Sequence, residues 1–405
     1  MGNFCFNDHN ERELLSLAIA GDTSITAESG NLISGRDSSN KVDKAIQAYF
    51  NESDHAIVNL ENPVCDKGVP IVKTGPNLRS EPGMGLFLKK LGIDAVNLSN
   101  NHIMDFGRDG LNQTIKELNQ NEIGYFGAGS DKNDAARAYF FEGNGIKIAL
   151  LGFSEGEFAR AEYDKAGAAP LEMSDNYINI GQVSRTADFV IVFVHAGNEY
   201  QLVPSPRIQR IYRSMIDTGA DLVVGCHPHV PQGIERYGKG FIFYCLGNFL
   251  FDYKVQNNFL FDMGYVLKVG FGKNNLKSID IKAVKLDSGN KLKFIEKQSD
   301  FINYMEYVSG DFNDLLKLTA VWEQEVINLY GSYKYFFNPG IKSFLLNKIF
   351  GQKNILPFLN IFQCASHADV LHTILKMMHN GQFVRDAGIQ RYLSELKVKL
   401  KNCYD

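Results

Sequence analysis

Residues 219–229 read Gly219-Ala220-Asp221-Leu222-Val223-Val224-Gly225-Cys226-His227-Pro228-His229, an apolar β-rich run that breaks into two histidines. The same pattern recurs upstream. Phe189–Val194 runs into His195, Ala56–Leu60 into Glu61, Ala95–Leu98 into Ser99-Asn100-Asn101-His102, and Leu14–Ala20 into Gly21-Asp22. Helical patterns separate these short runs, which is the signature of an α/β layered fold. In an open parallel sheet the C-terminal strand ends lie along one edge, and ligands bind there. The five runs would thus bring two carboxylates, two carboxamides and four histidines to a single crevice.

Metal chemistry explains this set economically. Imidazole and carboxylate suit Zn, Mn or Fe(II), and an Asn carbonyl oxygen suits the harder members of that group. The His227-x-His229 spacing puts both rings on one side of an extended segment, stiffened by Pro228. Each feature alone has a plainer reading. Gly-Asp marks turns, Glu61 before Asn62-Pro63 can open a loop, Asn-Asn-His can cap a helix, and His195 can be a satisfied core histidine. Their joint occurrence favours a site.

The remaining elements are read locally. Ser205 caps a helix with Pro206 in its first turn, Ile208, Ile211, Tyr212, Met215 and Ile216 on one face, and Gly219 as its stop. A second helix covers Gly110–Asn119. Tyr265–Phe271 and Ser278–Leu286 read as a hairpin around Gly272–Asn275. From about residue 300 apolar residues recur at helical spacing, as in Val370, Leu371, Ile374, Leu375 and Met378. The chain therefore divides into residues 1–300 and a helical extension, 301–405, whose helices offer a surface for homo-oligomerisation. His367, His372 and His379, five and seven residues apart, do not stack on one helix face as a ligand pair would, and read as structural.

The 42 basic and 46 acidic residues give a formal charge of −4, without the basic excess of a nucleic-acid binder. Six scattered cysteines, Cys5, Cys65, Cys226, Cys245, Cys364 and Cys403, form neither a disulfide framework nor a CxxC zinc pair. Leu14–Ala20 is too short to span a membrane, and Glu11 and Glu13 before it carry the wrong charge for a signal peptide. With Met1 as a natural start, the expected location is the cytoplasm.

At these residues the sequence resembles the CapA family, the poly-γ-glutamate capsule-synthesis proteins related to calcineurin-like metallophosphoesterases. The resemblance lies in Ala20-Gly21-Asp22, Val58–Pro63, Asn97–Gly107, Gly127-Ala128-Gly129, His195–Tyr200, Gly219–His229 and Leu246–Phe249, in family order. It implies a four-layer αββα metallophosphoesterase-like sandwich with a C-terminal helical appendage, holding one or two divalent ions. By resemblance, Asp22, Glu61 and His229 would hold a first metal, and Asn101, His195 and His227 a second, with Glu61 near the usual bridging position. His102, held by Asp105, would be the general acid or phosphate-positioning residue. Asn100, Glu199 and Asn248 would contact an anionic small-molecule or polymer substrate. One departure stands out: the usual Asp-x-His is here Asp22-Thr23-Ser24, so a histidine ligand is missing. Cys226 beside the His-Pro-His is expected to be a small apolar wall residue.

The expected function is a metal-dependent hydrolase, a phosphoesterase by preference, in capsule, poly-γ-glutamate or related surface-polymer metabolism. Two rivals use the same residues. One is a γ-glutamyl amide hydrolase or ligase-like enzyme. The other is a non-catalytic accessory subunit that binds an anionic polymer or a synthase.

Overall fold

The computed structural model describes residues 6–7, 13–26, 41–252, 259–287, 291–310, 312, 314–337 and 352–405; Cys5 and Glu11 lie outside them. The chain runs β1 (Phe6–Asn7), β2 (Leu15–Ser24), α1 (Lys44–Asn51), β3 (His55–Leu60), α2 (Met84–Leu91), β4 (Ala95–Asn97), α3 (Gly107–Gln120), β5 (Gly124–Phe126) and β6 (Ala128–Gly129). Next come α4 (Lys132–Ala135), β7 (Tyr139–Gly143), β8 (Ile146–Ser154), β9 (Gly167–Ala168), α5 (Met173–Val183), β10 (Phe189–His195), α6 (Pro206–Thr218) and β11 (Leu222–Cys226). The last strands are β12 (Ile234–Tyr237), β13 (Gly240–Phe243), β14 (Asn248–Phe251), β15 (Met263–Phe271), β16 (Leu276–Leu286) and β17 (Leu292–Phe294). Helices follow: α7 (Gln298–Ser309), α8 (Leu315–Tyr333), α9 (Gln352–Gln363), α10 (Ala365–His379) and α11 (Ala387–Tyr404).

Among the described residues, one sheet has the order β1-β16-β15-β2-β3-β4-β5, with β14 beside β2 and β17 beside β16. A second has the order β12-β13-β11-β10-β8-β7, and β6 and β9 form a small antiparallel pair. The strands β2–β5 are mutually parallel, as are β8, β10, β11 and β13. The side-chain period of two separates the layers. Leu17, Ile19 and Ile57 join the core shared with the second sheet, whereas Ala18, Ala20 and Val58 pack with Ile46, Phe50, Leu88 and Leu118 of α1–α3. Phe126 meets Phe193 at 5.3 Å and Phe189 meets Phe271 at 4.9 Å, edge to face between the sheets. Ile180 of α5 and Tyr212 and Met215 of α6 cover the second sheet. The expected αββα order of layers is present.

Local chemistry sets the element ends. Ser205 accepts from the Ile208 amide at 3.3 Å, Pro206 opens α6, and Gly219, with φ +132°, ends it. The helix expected over Gly110–Asn119 begins earlier, at Gly107. The hairpin is β15–β16.

The C-terminal helices divide their packing. Phe301 and Tyr304 of α7 and Leu396 and Tyr404 of α11 enter the main core. Trp322 and Val326 of α8 pack with Val370 and Ile374 of α10 in a separate cluster. Among the described residues no helix is long and apolar enough to cross a membrane.

Candidate metal centre

One extra residue in β2 decides where its carboxylate points. The β2–β3 register passes from Ala20↔Val58 to Asp22↔Asn59, so Gly21 is a bulge. Without it Asp22 would share the helix-facing side of Ala18 and Ala20. With it, Asp22 turns to the inter-sheet side and accepts from Asn59 Nδ2 at 2.7 Å. A side chain at residue 21 is excluded, because a Cβ there would lie 2.0 Å from the Gly247 carbonyl oxygen. The reading of Gly21-Asp22 as residues beyond the strand is thereby corrected: β2 continues through Ser24.

Asn97 Nδ2 donates to Asn59 Oδ1 at 2.8 Å, and Asn59 Nδ2 lies 3.2 Å from His195 Nδ1. A buried carboxamide ladder thus runs across β4, β3 and β2 and ends on the histidine of the opposite sheet. After β11 the chain turns sharply. His227 and His229 have φ of +95° and +60°, a costly conformation for non-glycine residues that here aims both rings inward. The His227 amide donates to Asp22 Oδ2 at 3.0 Å, which ties the turn to β2.

Two constellations result, sharing Glu61. In the first, His195 Nε2 lies 3.1 Å from His227 Nδ1, 3.0 Å from Asn101 Oδ1 and 3.5 Å from Glu61 Oε1. In the second, His229 Nδ1 lies 3.3 Å from Asp22 Oδ2, and its Nε2 3.6 Å from Glu61 Oε1. Both Glu61 oxygens are buried without a hydrogen-bond partner. Such a carboxylate is costly to bury alone and fits a cation. Ligand atoms of Glu61, His195 and His227 lie within 4.8 Å of one another, as do those of Asp22, Glu61 and His229, so each group could hold a metal ion.

The family description "Bacterial capsule synthesis protein PGA_cap" matches residues 16–253. The chain belongs to this family. It is 33% identical over 254 residues to "Capsule biosynthesis protein CapA" of Bacillus anthracis, a match covering 60% of this chain and 61% of the relative. It is 33% identical over 243 residues to "PGA biosynthesis protein CapA" of Bacillus subtilis (strain 168), covering 58% and 64%. A "Probable polyglutamine synthesis accessory protein" of Mycobacterium tuberculosis is 27% identical over 215 residues, covering 50% and 57%. These matches span less than two thirds of each relative's length. A crystal structure of a hypothetical protein from Thermus thermophilus covers 67% of the chain and 99% of its own, at 14% identity and TM-score 0.44.

Within this PGA_cap chain, burial holds the His195 and His227 imidazoles well below their usual pKa, and neighbouring histidines add to the effect. Neutral imidazole is the ligating form. Burial also disfavours a charged His229, but Glu61 and Asp22 outweigh it and push the ring up to about 10. Glu61 is itself raised, by burial first. Burial likewise raises the Cys226 thiol, as suits a wall residue.

The expected second-rank residues fall in different places. Asn248 Oδ1 meets His229 Nδ1 at 2.9 Å while its Nδ2 donates to the Phe261 carbonyl at 2.7 Å, so it orients that ring. Asn100 is fully buried, donating to the Leu60 carbonyl and accepting from the His102 amide. Glu199 is exposed at the rim, its carboxylate within 4.8 Å of ligand atoms of His227 and His229. His102 Nδ1 lies 2.7 Å from Asp105 Oδ2, and Asp105 also accepts from the Leu78 amide and pairs with Lys73.

Three cleft residues, Lys73, Glu157 and Tyr333, were not singled out from sequence, and a fourth, His367, was read as structural. Lys73 approaches His102 Nδ1 at 3.1 Å. Glu157 has its carboxyl pushed up to about 7 by burial, against Lys73 and with Glu199. Tyr333 and His367 come from the C-terminal helices. All four line a cavity of about 370 Å³ with Asn101, His102 and His227.

Proposed function

We propose that this chain is a metal-dependent phosphoesterase acting in capsule, poly-γ-glutamate or related surface-polymer metabolism. The observation that carries the reading is the buried Glu61 carboxylate, neither of whose oxygens is hydrogen-bonded, between two groups of imidazole and carboxylate ligand atoms. Asp22, Glu61 and His229 would hold one divalent ion, and Glu61, Asn101, His195 and His227 a second. Such ions supply positive charge that acidifies water and offsets charge on phosphate oxygens.

The chain's own residues would do the rest. Asp105 accepts from His102 Nδ1, fixing the ring and leaving Nε2 to exchange a proton with a leaving oxygen. Burial and Lys73 hold the His102 pKa down against Asp105, so a proton placed on the ring is readily given up. Lys73, at the cavity wall, adds a cation that favours an anionic substrate.

The test joins metal analysis of purified protein to turnover of an aryl phosphate and of a γ-glutamyl peptide. Bound metal with phosphatase activity supports the reading. Metal with peptide cleavage alone moves the chemistry to an amide. A second reading draws on the printed name of the M. tuberculosis relative, which calls that protein an accessory protein. Absence of both metal and turnover would favour it.

A further inference from the structure

Part of the cleft wall is built from residues beyond the family match, which ends at residue 253. A polar clamp holds it in place. Ser366 Oγ, in the first turn of α10, donates to Glu155 Oε2 at 2.5 Å and lies 2.7 Å from Arg207 Nη2. Arg207 pairs with Glu155 and, at 3.6 Å, with Asp369 of α10. The Glu155 amide in turn donates to the His195 carbonyl at 3.1 Å. The wall is therefore fixed to the strand end that bears a candidate ligand.

On that wall Tyr333, the last residue of α8, places its hydroxyl 2.6 Å from His367 Nδ1. Burial holds the His367 imidazole below its usual pKa, against Glu155 and Glu199, so the ring is neutral at neutral pH. The Tyr333 hydroxyl occupies Nδ1, which leaves Nε2 to meet a ligand hydroxyl as donor or as acceptor. That Nε2 has no hydrogen-bond partner among the described residues. Among the described residues of these helices at the cavity, the other polar ones, Ser332, Asn360 and Ser366, carry no charge. Lys73, paired with Asp105, the carboxylates Glu157 and Glu199, and the histidines His102 and His227 line the same cavity from the matched region.

The cavity lining thus differs by chemistry: charged groups and candidate ligands from the matched region, and an uncharged hydrogen-bonding face from the described C-terminal helix residues. We infer that the Tyr333–His367 pair is a specificity element that hydrogen-bonds the neutral, hydroxylated alcohol portion of a phosphoester whose phosphoryl group lies at His102 and His227. A cavity of about 370 Å³ is of small-molecule size, so a polyol or sugar phosphate, or one terminal unit of a chain, fits it. This inference rests on the phosphoester reading above.

Two non-hydrolysable probes test it by calorimetric titration of the full chain loaded with Mn: methylphosphonate, and the phosphonate analogue of glycerol phosphate. The native protein is expected to bind the hydroxylated probe about tenfold more tightly, the worth of a hydrogen bond or two. His367→Ala should abolish that preference and leave methylphosphonate affinity unchanged. His367→Gln, which keeps a donor, should restore part of it, and Tyr333→Phe should reduce it. Equal affinity of the native protein for both probes would overturn the inference alone. Equal loss of both in His367→Ala would also overturn it, by making the residue structural. Binding of neither probe by the native protein would remove the phosphoester reading and this inference with it.

Discussion

Replacing Glu61 by glutamine should reverse its effect on stability according to whether metal is present. In the stripped protein the wild-type carboxyl is buried with neither oxygen hydrogen-bonded. An unsatisfied buried polar group costs about 1–3 kcal/mol. Burial outweighs the nearby His229 and raises the Glu61 pKa, so the charged form is the costly one; glutamine carries no charge to bury, and its carbonyl can keep the place Glu61 Oε1 holds, 3.5 Å from His195 Nε2 and 3.6 Å from His229 Nε2. Stripped Glu61→Gln should therefore be more stable than stripped wild type by about 1–3 kcal/mol. In a chain of 405 residues this raises Tm by about 1–4 °C. With Mn or Zn at about one hundred times Kd, the wild type gains about 2.7 kcal/mol, whereas the variant, lacking the ligand shared by both groups, gains far less. The order of the two Tm values should then invert. Scanning calorimetry after chelation and again after adding metal reads both states. A variant less stable than wild type in both, or one with an undiminished metal-induced shift, would refute the reasoning.

Three further outcomes follow from the geometry. Gly21→Ala should lower stability by about 3 kcal/mol or more, because its Cβ would meet the Gly247 carbonyl at 2.0 Å and only backbone can yield; an unchanged Tm would show that the bulge tolerates a side chain. His102→Ala should reduce phosphatase turnover by about 10²–10⁴-fold with metal content intact, while His227→Ala should lose both; equal metal loss in the two variants would make His102 a ligand. Ser24 shares the face of Asp22 on β2, and its buried hydroxyl has no partner. With a hydroxyl where imidazole would stand, the Asp22–Glu61–His229 group should bind metal more weakly than the other in a titration of stripped protein; Ser24→His should tighten that weaker step, and an unchanged step would show that residue 24 does not reach the group.

The parallel strands and their polar ends were legible because both depend on short-range pattern. A run such as Phe189–Val194 can only be a buried strand of that length, and the residue after it must emerge at an edge. The bulge was not legible, since the need for glycine at 21 comes from Gly247, more than two hundred residues away in sequence. Asp22 was singled out from local pattern alone, but its direction rests on that contact. Helix ends were readable where a capping side chain and a stop glycine coincided, as at Ser205 and Gly219. The start of α3 at Gly107 lacks a side-chain cap and was missed by three residues.

The cleft residues that escaped the sequence share a cause. Lys73 lies in an irregular stretch before α2, with no periodicity to aim it, and its place at the cavity wall is fixed by Asp105, thirty-odd residues on. Glu157 follows β8 by three residues, and its perturbed carboxyl reflects burial beside Asn101, which no local pattern records. His367 was set aside because its spacing from His372 and His379 makes no ligand pair, and that argument holds for the helix taken alone. What gives His367 a place at the cleft is the Glu155–Arg207–Ser366 clamp between β8, α6 and α10, together with a tyrosine from α8. Candidate ligands at strand ends are set by secondary structure, so sequence points to them. Residues that select among substrates are set by how separate elements dock, so they become visible only once those elements are packed.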